Sequence, residues 1–213
     1  MLVMQGDVRV EGLIIDGQVG VTSTYATNGI QATYNGLSMN RLDVCNNVTV
    51  RNVTNAGFLC DGGNGLGTDR HILLLRNTTV LATVPNITMD TAYRCSNTAI
   101  LRATDSTVSS FFSVIPTTIV TNAFFVSEDY SVLDLNIVNL NYVVNGLVCG
   151  SGVISGSRED YPSLRVSIGQ ISFVSGVAVW SRENSTIRAT DVTIQDDTAK
   201  TGYTSQIHFL STN

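Results

Sequence analysis

A short motif of alternating apolar residues recurs along the chain, and its spacing constrains the fold more than any other feature. The motif runs apolar, any, apolar, any, a turn-type residue, then a second short apolar run. Val8, Val10, Gly12, Leu13 and Ile15 fit it, and so do Val48, Val50, Asn52 and Val53. Leu73, Leu75, Asn77, Thr78 and Val80 follow, then Leu101, Ala103, Asp105, Ser106 and Val108. Leu133, Leu135, Val138 and Leu140 fit with Ile137 in the turn slot. Val166, Ile168, Gln170, Ile171 and Phe173 match next, then Ile187, Ala189, Asp191, Val192 and Ile194. Arg102-Ala103-Thr104-Asp105 and Arg188-Ala189-Thr190-Asp191 are the same four residues in the same register. Most units start 21 to 33 residues apart, and the gap of 40 between Val8 and Val48 holds an extra strand around Ile30 to Leu42.

A second motif trails the first: a small polar residue, Gly or Ala, then an apolar strand. It reads Asn28-Gly29-Ile30, Ala56-Gly57-Phe58, Asn122-Ala123-Phe124, Asn145-Gly146-Leu147, Ser175-Gly176-Val177 and Thr201-Gly202-Tyr203. Alternation with period two and abundant β-branched residues is strand chemistry, and helix signals are nearly absent. A period in the twenties or thirties without helices excludes helical-pair repeats. It fits propeller blades badly, because a blade needs four strands in roughly 40 residues. The expectation is an all-β, parallel β-solenoid of about seven or eight rungs over residues 1–213, one domain, as a whole chain or a piece of a larger assembly. Asn and Asp suit the turn slots because they tolerate the left-handed backbone of a sharp bend.

Composition narrows the function classes. Charged residues are 14% of the 213, against roughly 25% in an ordinary soluble domain, while apolar residues are 43%. That excludes a charge-rich disordered chain. The net charge of −5, with Lys200 the only lysine, argues against coating nucleic acid. No run approaches the ~18 apolar residues of a membrane-spanning helix, so no membrane insertion is expected. The start, Met1 to Val10, lacks a basic region followed by an apolar run, so no export signal is read there. Cys45, Cys60, Cys95 and Cys149 form no CxxC pair and are too few for a disulfide framework. Cys60, Cys95 and Cys149 share one phase of the second motif and are expected as buried, stacked, reduced thiols.

The Asn-Gly-apolar strand starts, the Val48-Thr49-Val50-Arg51-Asn52-Val53 segment and Ile14-Ile15-Asp16-Gly17 resemble the right-handed parallel β-helix proteins of the pectin-lyase-like superfamily. That group includes pectate lyases, polygalacturonases, alginate epimerases and bacteriophage tailspikes, so the resemblance implies a fold and leaves activity open. The Gly-His-Gly and Arg-Ile-Lys motifs of its polygalacturonase-like members are missing, and neither His71 nor His208 has glycine neighbours. The resemblance implies calcium held by acids in its lyases; Asp61 and Asp69 are the weak candidates here, against a bare Gly-Asp turn. No cofactor is expected. The glycine-rich 61–67 loop lacks the Gly-Lys-Ser/Thr ending of a phosphate loop and reads as an excursion between rungs.

A glycoside hydrolase needs two facing carboxylates. The doublets Glu128-Asp129, Glu159-Asp160 and Asp196-Asp197 supply acids, but strand neighbours point to opposite faces. Asn77 and Asp105 would be rung neighbours, an amide beside an acid; Asp105 and Asp191 would lie roughly 14 Å apart, about three strand spacings. Loop solvation is the ordinary role of such acids, and Glu128, Asp129, Glu159 and Asp160 remain the weak catalytic candidates. Arg158 and Tyr161, with Trp180, Arg182 and Glu183, combine rings and charges in a way that suits a sugar surface, a receptor contact or a half-buried rung edge.

Sparse charge, abundant Ser, Thr and Asn, no export signal and no complete catalytic set lead to one expectation. The chain is a tailspike- or fibre-like structural protein of a virus or phage, virion-borne or extracellular, presenting a host-glycan or receptor-binding surface. The bare ends of a solenoid need covering, so a homo-oligomer is expected, a trimer by the habit of the resembled group, or neighbouring subunits of a larger assembly. The alternatives are a polysaccharide lyase or glycoside hydrolase, and a purely structural scaffold subunit of a capsid or filament.

Overall fold

Two parallel ladders, visited in turn by the chain, organise the molecule. The structure is a computed structural model that describes residues 1–18, 24–33, 41–62, 71–83, 88–97, 99–110, 119–127, 131–150, 163–174, 177–182, 185–195 and 206–212. The described strands are β1 (Leu2–Met4), β2 (Arg9–Glu11), β3 (Ile14–Asp16), β4 (Asn28–Thr33), β5 (Arg41–Arg51) and β6 (Ala56–Asp61). They continue with β7 (His71–Ala82), β8 (Thr88–Ser96), β9 (Ile100–Ser110), β10 (Ile119–Ser127), β11 (Val132–Cys149) and β12 (Ser163–Val166). The last are β13 (Gly169–Val174), β14 (Val177–Arg182), β15 (Thr186–Ala189), β16 (Val192–Gln195) and β17 (Gln206–Thr212). No helix occurs among the described residues.

In the first ladder β2 and β3 lie on β5, followed by β7, β9, the first part of β11, then β12 with β13, then β15 with β16. The second ladder runs β1, β4, β6, β8, β10, the last part of β11, β14 and β17. All these pairings are parallel. A parallel neighbour needs a long crossover, and the chain supplies it by leaving one ladder for the other each time.

The register turns the sequence motif into columns. Leu73, Leu101 and Leu133 are successive partners, continued by Leu164 and Ile187. Five of the seven units fall where the spacing puts them, the first of them with Val10 on Cys45 and Ile15 on Val50. Two units are corrected. Leu73 and Leu75 pair with Asp43 and Cys45, and Thr78 and Val80 with Val48 and Val50. The second unit therefore starts at Asp43 with Asn47 in its turn slot, five residues before the expected Val48. Likewise Leu164, not Val166, partners Leu133. The apparent gap of 40 disappears: 43 − 8 is 35, and the strand inside it, β4, belongs to the other ladder.

Backbone conformation follows the side chains at the bends. Gly12, Asn47, Asn77, Asp105 and Asp191 all have positive φ, between 48° and 64°. Asn and Asp hold this left-handed turn better than other residues with a β-carbon. Asn52 is also left-handed (φ 56°), but at a second bend that ends β5. Its buried amide carries the geometry: Oδ1 accepts from Thr83 N and Oγ1, both at 3.0 Å, while Nδ2 donates to Asp16 at 3.1 Å.

The second motif also resolves into columns. Ile30, Phe58, Tyr93, Phe124, Leu147 and Val179 are successive partners. One position earlier stand Gly29, Gly57, Ala92, Ala123, Gly146 and Ala178. A side chain there meets the next row's backbone: a Cβ on Gly146 would lie 2.4 Å from the Ala178 carbonyl oxygen. The motif thus includes Thr91-Ala92-Tyr93, and its later copy is Val177-Ala178-Val179 rather than Ser175-Gly176-Val177. Thr201-Gly202-Tyr203 lies outside the described residues.

Between the ladders the inward side chains form one apolar core. At its centre Phe58, Tyr93 and Phe124 stack with centroids 5.2 and 4.8 Å apart and planes within 18°. Tyr93 is tolerated there because Thr78 and Ser106 face it from the other ladder. Its hydroxyl sits 3.0 Å from Thr78 Oγ1, which lies 3.4 Å from Ser106 Oγ. Burial pushes its phenol well above the usual range, and those two hydroxyls only partly offset this.

Candidate functional site

The outer face of the first ladder carries the arrangement most able to meet a ligand. Side chains alternate across a strand, so each outward position is repeated once per row at roughly 4.8 Å. One outward column contains Thr49, Thr79, Thr107, Gln170 and Thr193, with Asn139 at the register position between Thr107 and Gln170. On the other side of the bend, Arg102 pairs with Asp134, Asp134 with Arg165 and Arg165 with Arg188. The two Arg-Ala-Thr-Asp tetrapeptides therefore occupy the same columns, with Arg102 and Arg188 at opposite ends of one line. Arg102 Nε approaches Asp134 Oδ2 at 3.8 Å; Arg102 is exposed and Asp134 half-buried. Arg165 and Arg188 are exposed too. Two residues further on, Thr104, Asn136, Ser167 and Thr190 add hydroxyls and amides.

A second polar group is fully buried. His71 Nε2 lies 2.7 Å from Asp43 Oδ2, and neither side chain is exposed at all. Asp43 Oδ1 accepts a hydrogen bond from Val8 N at 2.9 Å. His71 begins β7 and Asp43 belongs to β5, so the pair ties three successive rows together. Sequence spacing does not bring residues 28 apart to mind as partners; only the row register does.

Asp16 holds the first bend. It accepts from Gln18 N at 3.1 Å, Asn52 Nδ2 at 3.1 Å and Arg51 Nε at 2.8 Å. Partial burial raises its carboxyl, but those three donors outweigh that and leave it below the usual carboxylate range. A depressed folded value means stability is present above the unfolded value and lost as pH falls through the folded one. At pH 7 we expect Asp16→Asn to cost about 0.5–1 kcal/mol, the scale of a solvent-screened pair. The difference between variant and parent should vanish by about pH 2 in urea titrations.

The cysteine column agrees with its expectation. Cys60 and Cys95 are strand partners, Val126 pairs with Cys95 and with Cys149, and all four cysteines are buried thiols outside any disulfide. Their thiols serve the corners where one ladder hands over to the other. Cys60 Sγ has two acceptors for its one proton, His71 O and Ile100 O, each at 3.7 Å, and Cys95 Sγ donates to Ala99 O at 3.3 Å. Burial pushes the Cys45 and Cys149 thiols up to about 12. Reaction of the native protein with an aromatic disulfide reagent near pH 8 should therefore wait on opening of the fold, with four thiols released at once in guanidinium. Because these folded values are raised, their stabilisation is complete below about pH 8.5 and is lost as pH climbs toward 12.

The sequence-derived site residues fall as follows. Glu128, Asp129, Arg158, Glu159, Asp160, Tyr161, Glu183 and Asp69 lie outside the described residues, as do the doublet at 196–197 and the loop from Gly63 to Gly67. Trp180 is half-buried on β14, in register with Val148 and Leu210 on the neighbouring strands, and Arg182 is the last residue of the same strand. Asp61 accepts from Asn97 Nδ2 at 2.7 Å. No group of three or more metal-ligating side chains occurs among the described residues. Asp105 and Asp191 share a slot three rows apart, and Asn77 neighbours Asp105, as the spacing implies.

No protein-family model matches the chain. No curated protein matches it either.

Proposed function

We propose that the chain is a right-handed parallel β-helix of the pectin-lyase-like kind, with seven to eight rungs, serving as a structural protein of a virus or phage. In this reading it is virion-borne or extracellular, assembles as a trimer or against neighbouring subunits, and presents a host-glycan or receptor-binding surface. One observation carries the reading: parallel pairing runs along both ladders, with one register shift between β14 and β17, and the in-register first ladder gives an outer face of straight polar columns. Such columns repeat Thr, Asn, Gln, Ser and Arg at a constant interval, which suits an extended ligand with its own repeat. Seven visits to the first ladder and eight to the second support the rung count.

The test is a panel of immobilised neutral and acidic polysaccharides probed with the purified chain, beside light scattering for its mass. Saturable binding without product, by a particle three times the chain mass, supports the proposal. Release of reducing ends or unsaturated uronates would move the chain to the lyase or hydrolase reading. Silence across the panel with ordered assembly would leave a scaffold subunit.

A further inference from the structure

We infer that the first row of the fold, β2 with β3, is an acid-released flap: carboxylates clamp it to β5, and protonating them lets it lift while the later rows stay folded. The inference is independent of the glycan-display reading. Among the described strands β2 and β3 pair with β5 alone, through three residues each, whereas β5 meets β7 through ten. β7 and β9 are paired on both sides. A row held on one side by few backbone bonds is where local opening starts. Four carboxylates cross its junction with β5. Asp7 Oδ2 accepts from Arg41 Nη1 at 2.6 Å, and Glu11 Oε1 from Asn46 Nδ2 at 2.9 Å. Asp16 accepts from Arg51 Nε at 2.8 Å and from Asn52 Nδ2 at 3.1 Å. From the other side, Asp43 Oδ1 accepts from Val8 N at 2.9 Å.

Acid acts twice at this junction. A protonated carboxyl loses the charge-assisted part of each bond. It also leaves Arg9, Arg41 and Arg51 without the anions beside them. Asp43 is the buried member, and its neutralisation weakens the hold on Val8 N and on His71 together. His71 reaches the junction through Asp43 but belongs to β7, which keeps its pairing with β9. Cys45 on β5 and Tyr25, bridged to Gln18, keep their protons in acid. β4, the partner of β1, carries no charged residue. Partial burial raises the Asp16 carboxyl, yet its donors lower it further, so its contribution is present above the unfolded value and lost as pH falls through the folded one. The Asp43–His71 pair apart, the next junctions use groups that do not titrate in acid. Asn77 Nδ2 donates to Asn47 Oδ1 at 3.2 Å, and Thr78 Oγ1 lies 3.4 Å from Ser106 Oγ. Lifting the flap uncovers the eleven-residue edge of β5, whose freed N–H and C=O groups can take another strand.

Amide hydrogen exchange on the full chain tests this. Val44 N donates to Val8 O and Thr49 N to Leu13 O, so these two amides report the flap, and the amides of β9 report the body of the fold. Exchange is followed from about pH 6 to about pH 3, across the ordinary carboxylate range, and corrected for the intrinsic rate at each pH. We expect protection at Val44 and Thr49 to fall about tenfold or more, the combined scale of several weak pairs, while β9 holds its protection. Asp7→Asn/Asp16→Asn replaces two exposed carboxylates by neutral amides. Its protection at the two amides should already be several-fold lower at pH 6 and should change less with pH, with β9 showing that the variant is folded. Equal losses at β5 and β9 in the parent would overturn the inference, because the fold would then open as a whole. Protection at Val44 and Thr49 that ignores pH would overturn it too. So would a variant that loses protection by the same factor at every pH, since its carboxylates would then act as contacts without titrating.

Discussion

Asp43→Ala is expected to cost about 3–5 kcal/mol, the scale of breaking a buried pair from one side. The substitution strips His71 Nε2 and Val8 N of their acceptor at once, and the Asp43 and His71 side chains have no exposure. The other ring nitrogen, Nδ1, has no hydrogen-bond partner among the described residues. Unmet buried groups carry their full desolvation cost. Urea unfolding, followed through the single tryptophan, Trp180, reads the loss as a lower midpoint. Asp43→Leu combined with His71→Leu should recover much of it, because a well-packed apolar pair needs no partner. If the single variant unfolds with the parent midpoint, the pair is not buried in the native chain.

Tyr93→Ala should cost a similar amount, about 3–5 kcal/mol, for a different reason. Tyr93 is the middle ring of three, so its removal empties a volume bounded above and below by Phe58 and Phe124. Relaxation is limited because those rings are fixed to neighbouring rows of an in-register ladder. Tyr93→Phe isolates the hydroxyl: it keeps the stack and leaves Thr78 and Ser106 to each other, at about 1 kcal/mol. A double-mutant cycle of Tyr93→Ala with Phe58→Ala should show coupling of about 0.5–1.5 kcal/mol, as adjacent aromatic rings do. Additive losses would mean that the two rings do not touch.

The sequence made the alternation of apolar residues and the turn-slot Asn and Asp visible, and hence most of the first ladder. Leu73, Leu101, Leu133 and Ile187 are legible because each is followed by an apolar partner two residues on and a bend residue, or Ile137, two beyond that. Asp43 was hidden because a carboxylate occupied a core position, and its compensation, His71, arrives a whole row later. Leu164 is hidden because Ile168, 49% exposed, extends the alternation from Val166 past the real bend, so that the motif matches two residues late. Thr91-Ala92-Tyr93 lacks the Asn-Gly signature yet meets the real requirement, which is a small middle residue under the next row's carbonyl.

The arginine column illustrates the harder problem. Arg102 and Arg188 stand in an identical tetrapeptide, but Arg165 belongs to no motif. Its place between Asp134 and Arg188 depends on a register corrected by two residues. Local pattern identifies elements well, whereas a surface assembled from one residue per row requires every row to be aligned.

Nitroxide distances down one outward column test that alignment most directly. The native thiols are buried, so labels go to cysteines introduced at Thr49, Thr79 and Thr193, which share a column through Thr107, Asn139 and Gln170. Rows spaced about 4.8 Å apart put Thr79 and Thr193 about 19 Å apart and Thr49 and Thr193 about 24 Å apart. An increment of about one row spacing between the two pairs is the predicted result. Equal distances, or a shorter one for the pair further apart in sequence, would contradict the parallel stacking of rows on which every column described here depends.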